Sequence, residues 1–247
     1  MTNAIVQSAN GFQVKTCDDL KHQPEEYQTA IRKLVISHAI NELYGSRVYD
    51  EPAIALAPTP YAKWLTCRVA MEEYGHHVRF FELGREIGIP AAEMLPEETG
   101  KKPLTIFSYE LKTFVEFCVM KLVGDLAEIL QVEDLAHCSF IPLRSVARMT
   151  MPEERFHAQY GEDFCKELIK EPDGRDQVQA ALDRIYPMLP AFFGRGNSKN
   201  NEIYRKWGIK QRTNSEMRAD YLLRTRSLVE DRLGLRLPAL DEEGASA

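Results

Sequence analysis

Two short strings of the sequence combine carboxylates and an imidazole at a spacing that suits a metal site. Both have the form E-E-x-x-H, with Glu73 and His76 in the first and Glu154 and His157 in the second. Residues three apart on an α-helix lie on one face in adjacent turns, so each string offers a carboxylate and an imidazole to one ion. Two such strings, with one carboxylate from each of two other helices, would form a site for two metal ions.

Two further carboxylates stand at positions that complete this set. Glu42 lies 31 residues before Glu73, and Asp125 lies 29 residues before Glu154. The offsets between the two halves nearly match, because 81 residues separate the two motif glutamates and 83 separate Glu42 from Asp125. An internal repeat of two helix pairs would produce this near symmetry. The sequence therefore predicts six ligands, Glu42, Glu73, His76, Asp125, Glu154 and His157.

Several neighbouring side chains are alternatives to these ligands. The first glutamate of each string, Glu72 or Glu153, competes with the second, although the spacing favours the second. Glu128 lies one turn after Asp125 on the same face, where it is either the third-helix ligand or an acceptor that orients a ligating histidine. His38, one turn before the first-helix carboxylate, is either a similar supporting residue or a histidine that is packed in the core or lies on the surface.

The segments that must position these side chains are predicted to be helices. Apolar residues recur every three or four positions, and hairpin signals are nearly absent. The pattern predicts an all-α fold, an up-down bundle with additional C-terminal helices. We expect long helices at about 25–49, 59–87, 104–134 and 139–170, and shorter ones near 177–193 and 214–233. Residues 194–201 are predicted to form a loop.

The chain of 247 residues is expected to form a single domain. Its core bundle would span about 25–170, its C-terminal helices about 173–235, and a frayed tail 236–247. The net charge of −6 gives no general attraction to nucleic acid or to an anionic membrane. No apolar run is long enough to span a bilayer, and the N-terminus does not resemble a secretory signal, so we expect a cytoplasmic protein.

The residue types favour one kind of chemistry. A carboxylate-rich set with only two imidazoles suits iron, or manganese, better than zinc, and dioxygen is the natural co-substrate of such a site. The five cysteines are scattered and no G-x-G-x-x-G turn is present, so the chain has no iron–sulfur or nucleotide motif of its own. Electrons must then come from a separate protein, which would dock on an exposed apolar or aromatic surface.

Four segments with these residues, HAINELYG, MEEYGHH, LVGDLAEI and PEERFHAQYG, resemble ligand-bearing stretches of the phenylacetic acid catabolic protein family. The later segments PMLPAFFG and WGIKQRTNSEMR are similar to that family too. Its catalytic members are the di-iron subunits of phenylacetyl-CoA epoxidases, which are multicomponent monooxygenases. The resemblance places the family's metal ligands on the same six residues. One departure is Pro152, which precedes the second motif and should bend its helix.

The resemblance also implies a fold and an activity. It implies a ferritin-like fold, two iron ions, and insertion of oxygen into the aromatic ring of an aryl-CoA thioester such as phenylacetyl-CoA. It further implies a companion ferritin-like structural subunit without a working metal site, and a separate reductase. The alternative is a ferritin-like di-metal oxidase or iron-handling protein with no organic substrate, which a small closed cavity at the metals would favour.

Overall fold

The computed structural model describes residues 12–96 and 104–240, and most of these residues are helical. The four long helices are α2 (Glu25–Gly45), α4 (Pro60–Glu86), α5 (Phe114–Leu135) and α6 (Ile141–Leu168). The shorter helices are α1 (Cys17–Leu20), α3 (Glu51–Leu56), α7 (Gly174–Ile185), α8 (Lys199–Lys206) and α9 (Asn214–Arg226). The described part of the chain forms no β-strand, so the all-α, ferritin-like prediction is confirmed.

The four long helices pack as two pairs. Helix α5 makes its most extensive contacts with α6, and α2 with α4. The apolar side chains form two clusters, one around Phe117 and Leu122 and the other around Ile31 and Phe80. Between these clusters, the middle turns of α4, α5 and α6 and the last turn of α2 carry buried polar side chains. The bundle thus brackets a polar layer between two apolar layers.

Helix α4 has the bounds that its local sequence indicates. The side chain of Thr59 accepts a hydrogen bond from the backbone N–H of Ala62, and Pro60 occupies the first turn, where no N–H is needed. Helix α6 continues through Pro152, although this proline cannot donate the usual backbone hydrogen bond. In the part of the chain that the structure describes, no helix has the length and apolarity to cross a membrane.

The predicted third helix, 104–134, is wrong at its start. Helix α5 begins at Phe114, because Thr113 and Glu116 form a reciprocal capping box that terminates it on the N-terminal side. The preceding residues form only a short 3₁₀ turn, Thr105–Ser108. The apolar side chains of this turn and its flanking residues pack on the same core cluster as those of α5. The apolar period therefore runs on past Phe114, and the prediction placed the helix start too early.

The predicted first helix, 25–49, is also interrupted. Helix α2 ends at Gly45. A π-helical turn, Ser46–Asp50, follows it and leads into α3. A π turn inserts an extra residue and rotates the side chains that follow it. The turn carries Asp50 into the buried interior, where only 2% of its surface is exposed.

The C-terminal predictions are partly correct. The segment 177–193 is α7 followed by a 3₁₀ turn, Tyr186–Phe193, and 214–233 is α9 followed by a π turn, Ser227–Arg232. The predicted loop 194–201 is wrong at its end, because the Ser198 side chain caps α8, which starts at Lys199. Residues 236–240 are not helical, and the rest of the predicted tail, 241–247, lies outside the described residues.

The closest approach of α5 and α6 generates a stability prediction. A Cβ atom on Gly161 of α6 would meet the α5 backbone, including the carbonyl oxygen of Cys118 at 2.8 Å. We expect Gly161→Ala to lower the free energy of unfolding by about 1–3 kcal/mol, since overpacking must separate the two helices. Gly75→Ala is the matched control, because a Cβ there has no atom within 4 Å.

Urea unfolding of both variants measures this difference. The control should be neutral or stabilised by about 1 kcal/mol, because alanine favours a helix over glycine. Equal unfolding midpoints for the two variants would contradict the tight helix contact.

Candidate metal centre

The six predicted ligands meet in the polar layer of the bundle. Each is at most 8% exposed. Their ligand atoms form two groups, each with all atoms within 4.8 Å of one another. The first group is Glu42, Glu73, His76 and Glu154, and the second is Glu73, Asp125, Glu154 and His157. Glu73 and Glu154 belong to both groups, as bridging ligands between two ions would.

The interatomic distances show how the shared carboxylate is oriented. His76 Nδ1 lies 3.3 Å from Oε2 of Glu73, whereas His157 Nδ1 lies 3.0 Å from Oε1 of the same residue. The two oxygens of Glu73 therefore face different histidines. His76 Nδ1 is also 3.0 Å from Glu154 Oε1 and 3.8 Å from Glu42 Oε2, so the two helix pairs converge on it.

The first glutamate of each string has a different position. Each bonds to the outer nitrogen of the opposite histidine: His76 Nε2 lies 2.9 Å from Glu153, and His157 Nε2 lies 2.9 Å from Glu72. A carboxylate that accepts a hydrogen bond from the outer nitrogen fixes the ring and leaves the inner nitrogen free to bind. Arginines hold these carboxylates in turn, Arg68 on Glu72 and Arg79 on Glu153.

The crossed arrangement links α4 and α6 and separates the roles within each E-E-x-x-H string. The second glutamate faces the interior with its own histidine, as the spacing favours, and the first supports the histidine of the other helix. From the sequence, both glutamates of a string are candidate ligands, and only the spacing favours the second. The crossed partner is not visible there, because it depends on how the two helices face each other.

On α5, the geometry separates the two alternative carboxylates. Asp125 joins the group that contains His157, whereas Glu128 forms a separate group with His38 and Glu42. His38 Nδ1 is 3.8 Å from Glu128 Oε1 and 4.0 Å from Glu42 Oε1, too far for a hydrogen bond to either carboxylate. Asp125 therefore has the better position for a ligand of the six-residue set.

Unpaired polar atoms indicate where a cation would fit. Buried polar atoms in folded proteins nearly always have hydrogen-bond partners. Here several buried atoms that face the centre have none: His76 Nδ1, His157 Nδ1, Asp125 Oδ2 and both carboxylate oxygens of Glu154. These atoms approach one another without hydrogen-bond geometry. Their clustering and their chemistry, hard oxygens with two imidazole nitrogens, fit a pair of divalent metal ions.

Two residues of the cluster were missed in the sequence. The ammonium group of Lys121 lies 2.5 Å from Glu73 Oε1, 2.8 Å from Asp50 Oδ1 and 3.3 Å from Asp125 Oδ2. The spacing of four between Lys121 and Asp125 on one helix face is a signal that could have been found. Asp50 gave no such signal, because the π turn that carries it inward interrupts the helical period.

Burial and neighbouring charges shift the titration of these groups. Burial raises the pKa of Glu42 to about 7 and that of Asp50 to about 6. Burial likewise raises the pKa of Asp125 well above its usual value. Glu73 behaves oppositely, because Lys121 and the histidines outweigh its burial and lower its pKa well below the usual range. Its neighbours therefore favour its charged form.

A small cavity borders the carboxylates. Its volume is about 80 Å³. Its lining includes the predicted ligands Glu42, Glu73, Asp125 and Glu154 together with the apolar side chains of Ile106, Phe107, Met120, Leu189 and Phe192. A cavity of about 150 Å³ holds a benzene molecule, so a phenyl ring would require these side chains to move apart.

The histidine environment predicts how the metal-free protein responds to pH. Burial disfavours protonation of His157, but Glu73 and Glu72 outweigh it and raise the pKa to about 9 from 6.5. This stabilisation is complete below pH 6.5 and is lost as the pH rises through about 9. We expect the free energy of unfolding of the metal-free protein to fall over this interval, measured by urea unfolding at several pH values.

His157→Gln is the matched variant, because its side chain does not titrate. It should show a smaller fall over the same interval. If the free energy of unfolding of the unmutated, metal-free protein stayed constant from pH 6.5 to 9, this result would contradict the assigned charge of His157.

Comparison with known proteins agrees with the resemblance seen in the sequence. The chain is similar to one subunit of the 1,2-phenylacetyl-CoA epoxidase of Escherichia coli (strain K12), with 25% identity over 223 residues. The matched region covers 88% of this chain and 72% of the relative. The sequence pattern of the phenylacetic acid catabolic proteins matches residues 9–246, which is nearly the whole chain. The chain therefore belongs to the phenylacetic acid catabolic protein family.

Proposed function

We propose that the protein is the catalytic di-iron subunit of a multicomponent monooxygenase that epoxidises the aromatic ring of an aryl-CoA thioester such as phenylacetyl-CoA. The observation that carries the proposal is the pair of buried ligand groups that share Glu73 and Glu154. Family membership and the similarity to an epoxidase subunit support the substrate class. The protein would act in the cytoplasm as a single ferritin-like domain.

Each ligand would have a defined place around two ions, iron or, as the alternative, manganese. Glu42 and His76 would hold one ion, Asp125 and His157 the other, and Glu73 and Glu154 would contact both. When bound, the metals would supply the reductive activation of dioxygen. The carboxylates suit this chemistry because they can bind in terminal or bridging modes.

The other residues of the chain keep this arrangement in place. Glu72 and Glu153 hold the outer nitrogens of the two histidines and so orient the inner nitrogens toward the interior. The apolar side chains of the cavity, Phe107 and Phe192 among them, offer an aromatic surface to a ring. A substrate that enters here would be placed directly against the ligand carboxylates.

The reaction requires partners. The similar E. coli protein is part of a multi-subunit epoxidase, and we propose that this chain likewise acts with a separate reductase and a companion ferritin-like subunit. Helix α4 supports this with a row of apolar side chains that are each more than half exposed: Tyr61, Trp64, Met71 and Val78. Such a row on the outer face of one helix suits contact with another protein.

The second candidate function is a di-metal oxidase or iron-handling protein with no organic substrate. The specific observation in its favour is the cavity of about 80 Å³, which is too small for an aromatic ring without rearrangement. Both functions share the metal centre, so metal binding alone does not distinguish them.

Metal occupancy is the first test. Metal-free protein given ferrous iron without oxygen should take up two ions per chain, measured by elemental analysis after gel filtration. Glu73→Ala should abolish this occupancy, because it removes a ligand of both groups, and His157→Ala should do the same by opening the second group. Glu82→Ala and His137→Ala change exposed residues of the same types and serve as controls. Full iron retention in the ligand variants would contradict the proposed set.

Oxidation of the substrate is the second test. The iron-loaded protein should convert phenylacetyl-CoA to an epoxide when a reductase, an electron source and dioxygen are supplied, with product detected by mass spectrometry. Phe107→Ala should widen the cavity and change which acyl groups are accepted, without changing iron content. Two bound ions with oxygen consumption but no oxidised thioester would reject the substrate and favour the second candidate.

A further inference from the structure

The cation of Lys121 lies on one side of the ligand cluster. Its ammonium group is 2.5 Å from Oε1 of Glu73, the oxygen that faces His157, and 3.3 Å from Asp125. Both carboxylates belong to the second ligand group. On the other side, the ion pairs of Glu42 and Glu154 are made with histidines, since His76 lies 3.8 Å and 3.0 Å from these residues.

Burial and an ion pair with Asp50 fix the position of the Lys121 ammonium group. Lys121 is 3% exposed, and its ammonium nitrogen forms an ion pair with Asp50, itself 2% exposed, at 2.8 Å from Oδ1. Asp50 belongs to neither ligand group, so this contact does not depend on the occupancy of the cluster. A buried ammonium paired in this way stays in place because leaving would strand a buried carboxylate.

A fixed ammonium opposes a metal ion beside it in two ways. It donates hydrogen bonds to Glu73 Oε1 and Asp125 Oδ1, whose lone pairs a metal would use. Its positive charge also repels a divalent ion at short range, where the buried environment screens little. Both effects act mainly on the position between Asp125 and His157. The position between Glu42 and His76 is affected less, because the oxygen of Glu73 on that side, Oε2, faces His76.

We propose that Lys121 makes the two metal positions unequal, so that the Glu42–His76 position binds its ion first and the Asp125–His157 position binds the second ion more weakly. This inference rests on the proposed metal centre. Lys121 acts here as a positioning residue: it sets the affinity of the second position through Glu73 and Asp125. The site would then assemble in a fixed order instead of taking up both ions together.

The test is a calorimetric titration of the metal-free full-length protein with Co²⁺, which measures the affinity of each binding step. The native protein should bind two ions in two steps, the second at least tenfold weaker than the first. Lys121→Met should tighten the second step at least tenfold and change the first by less than threefold. Lys210→Met is the matched control, because Lys210 is also a buried lysine but bonds to Gln131 instead of a cluster carboxylate. It should leave both steps unchanged.

A second variant guards against misfolding, since Lys121→Met strands the carboxylate of Asp50. The double variant Lys121→Met with Asp50→Asn removes that charge and should show the same tightening, with helix content checked by circular dichroism. Two equal steps in the native protein, or a second step in both variants that is unchanged or weaker, would overturn the inference while leaving the metal centre intact. No Co²⁺ binding by any form would overturn both.

Discussion

Like charges buried close together are the constraint on which this bundle depends. Glu42, Glu73, Asp125 and Glu154 lie within one layer, almost without solvent, and carboxylates in such a place repel one another and resist ionisation. Cations must therefore lie among them. In the metal-free protein, burial keeps several carboxyl pKa values high, while the histidines and Lys121 hold Glu73 in its charged form. Metal ions would take over this neutralising role.

Apolar packing on both sides of the polar layer holds the four helices in position. The two apolar clusters above and below it provide the favourable burial, and the close contact at Gly161 sets the distance between α5 and α6. The crossed pairs of His76 with Glu153 and His157 with Glu72 then fix α4 against α6. Packing thus determines the separation of the helices, and the outer carboxylates determine the orientation of the imidazoles.

Local sequence patterns and long-range contacts differed in how far they could be predicted. The spacing of His76 and His157 from their glutamates is set by one helical turn, so the candidate ligand set could be proposed from the sequence together with a family resemblance. The start of α5 at Phe114 was missed although its capping box is local, because the apolar period continued past it. Asp50 could not be predicted, since its place depends on a π turn.

Diffraction from crystals of the iron-loaded protein, recorded at the iron absorption edge, tests the central claim most directly. Two anomalous peaks about 3.5–4 Å apart should appear inside the bundle. Glu73 and Glu154 should contact both, with one histidine on each. Peaks only at the surface, or carboxylates that keep their mutual contacts without iron between them, would contradict the account.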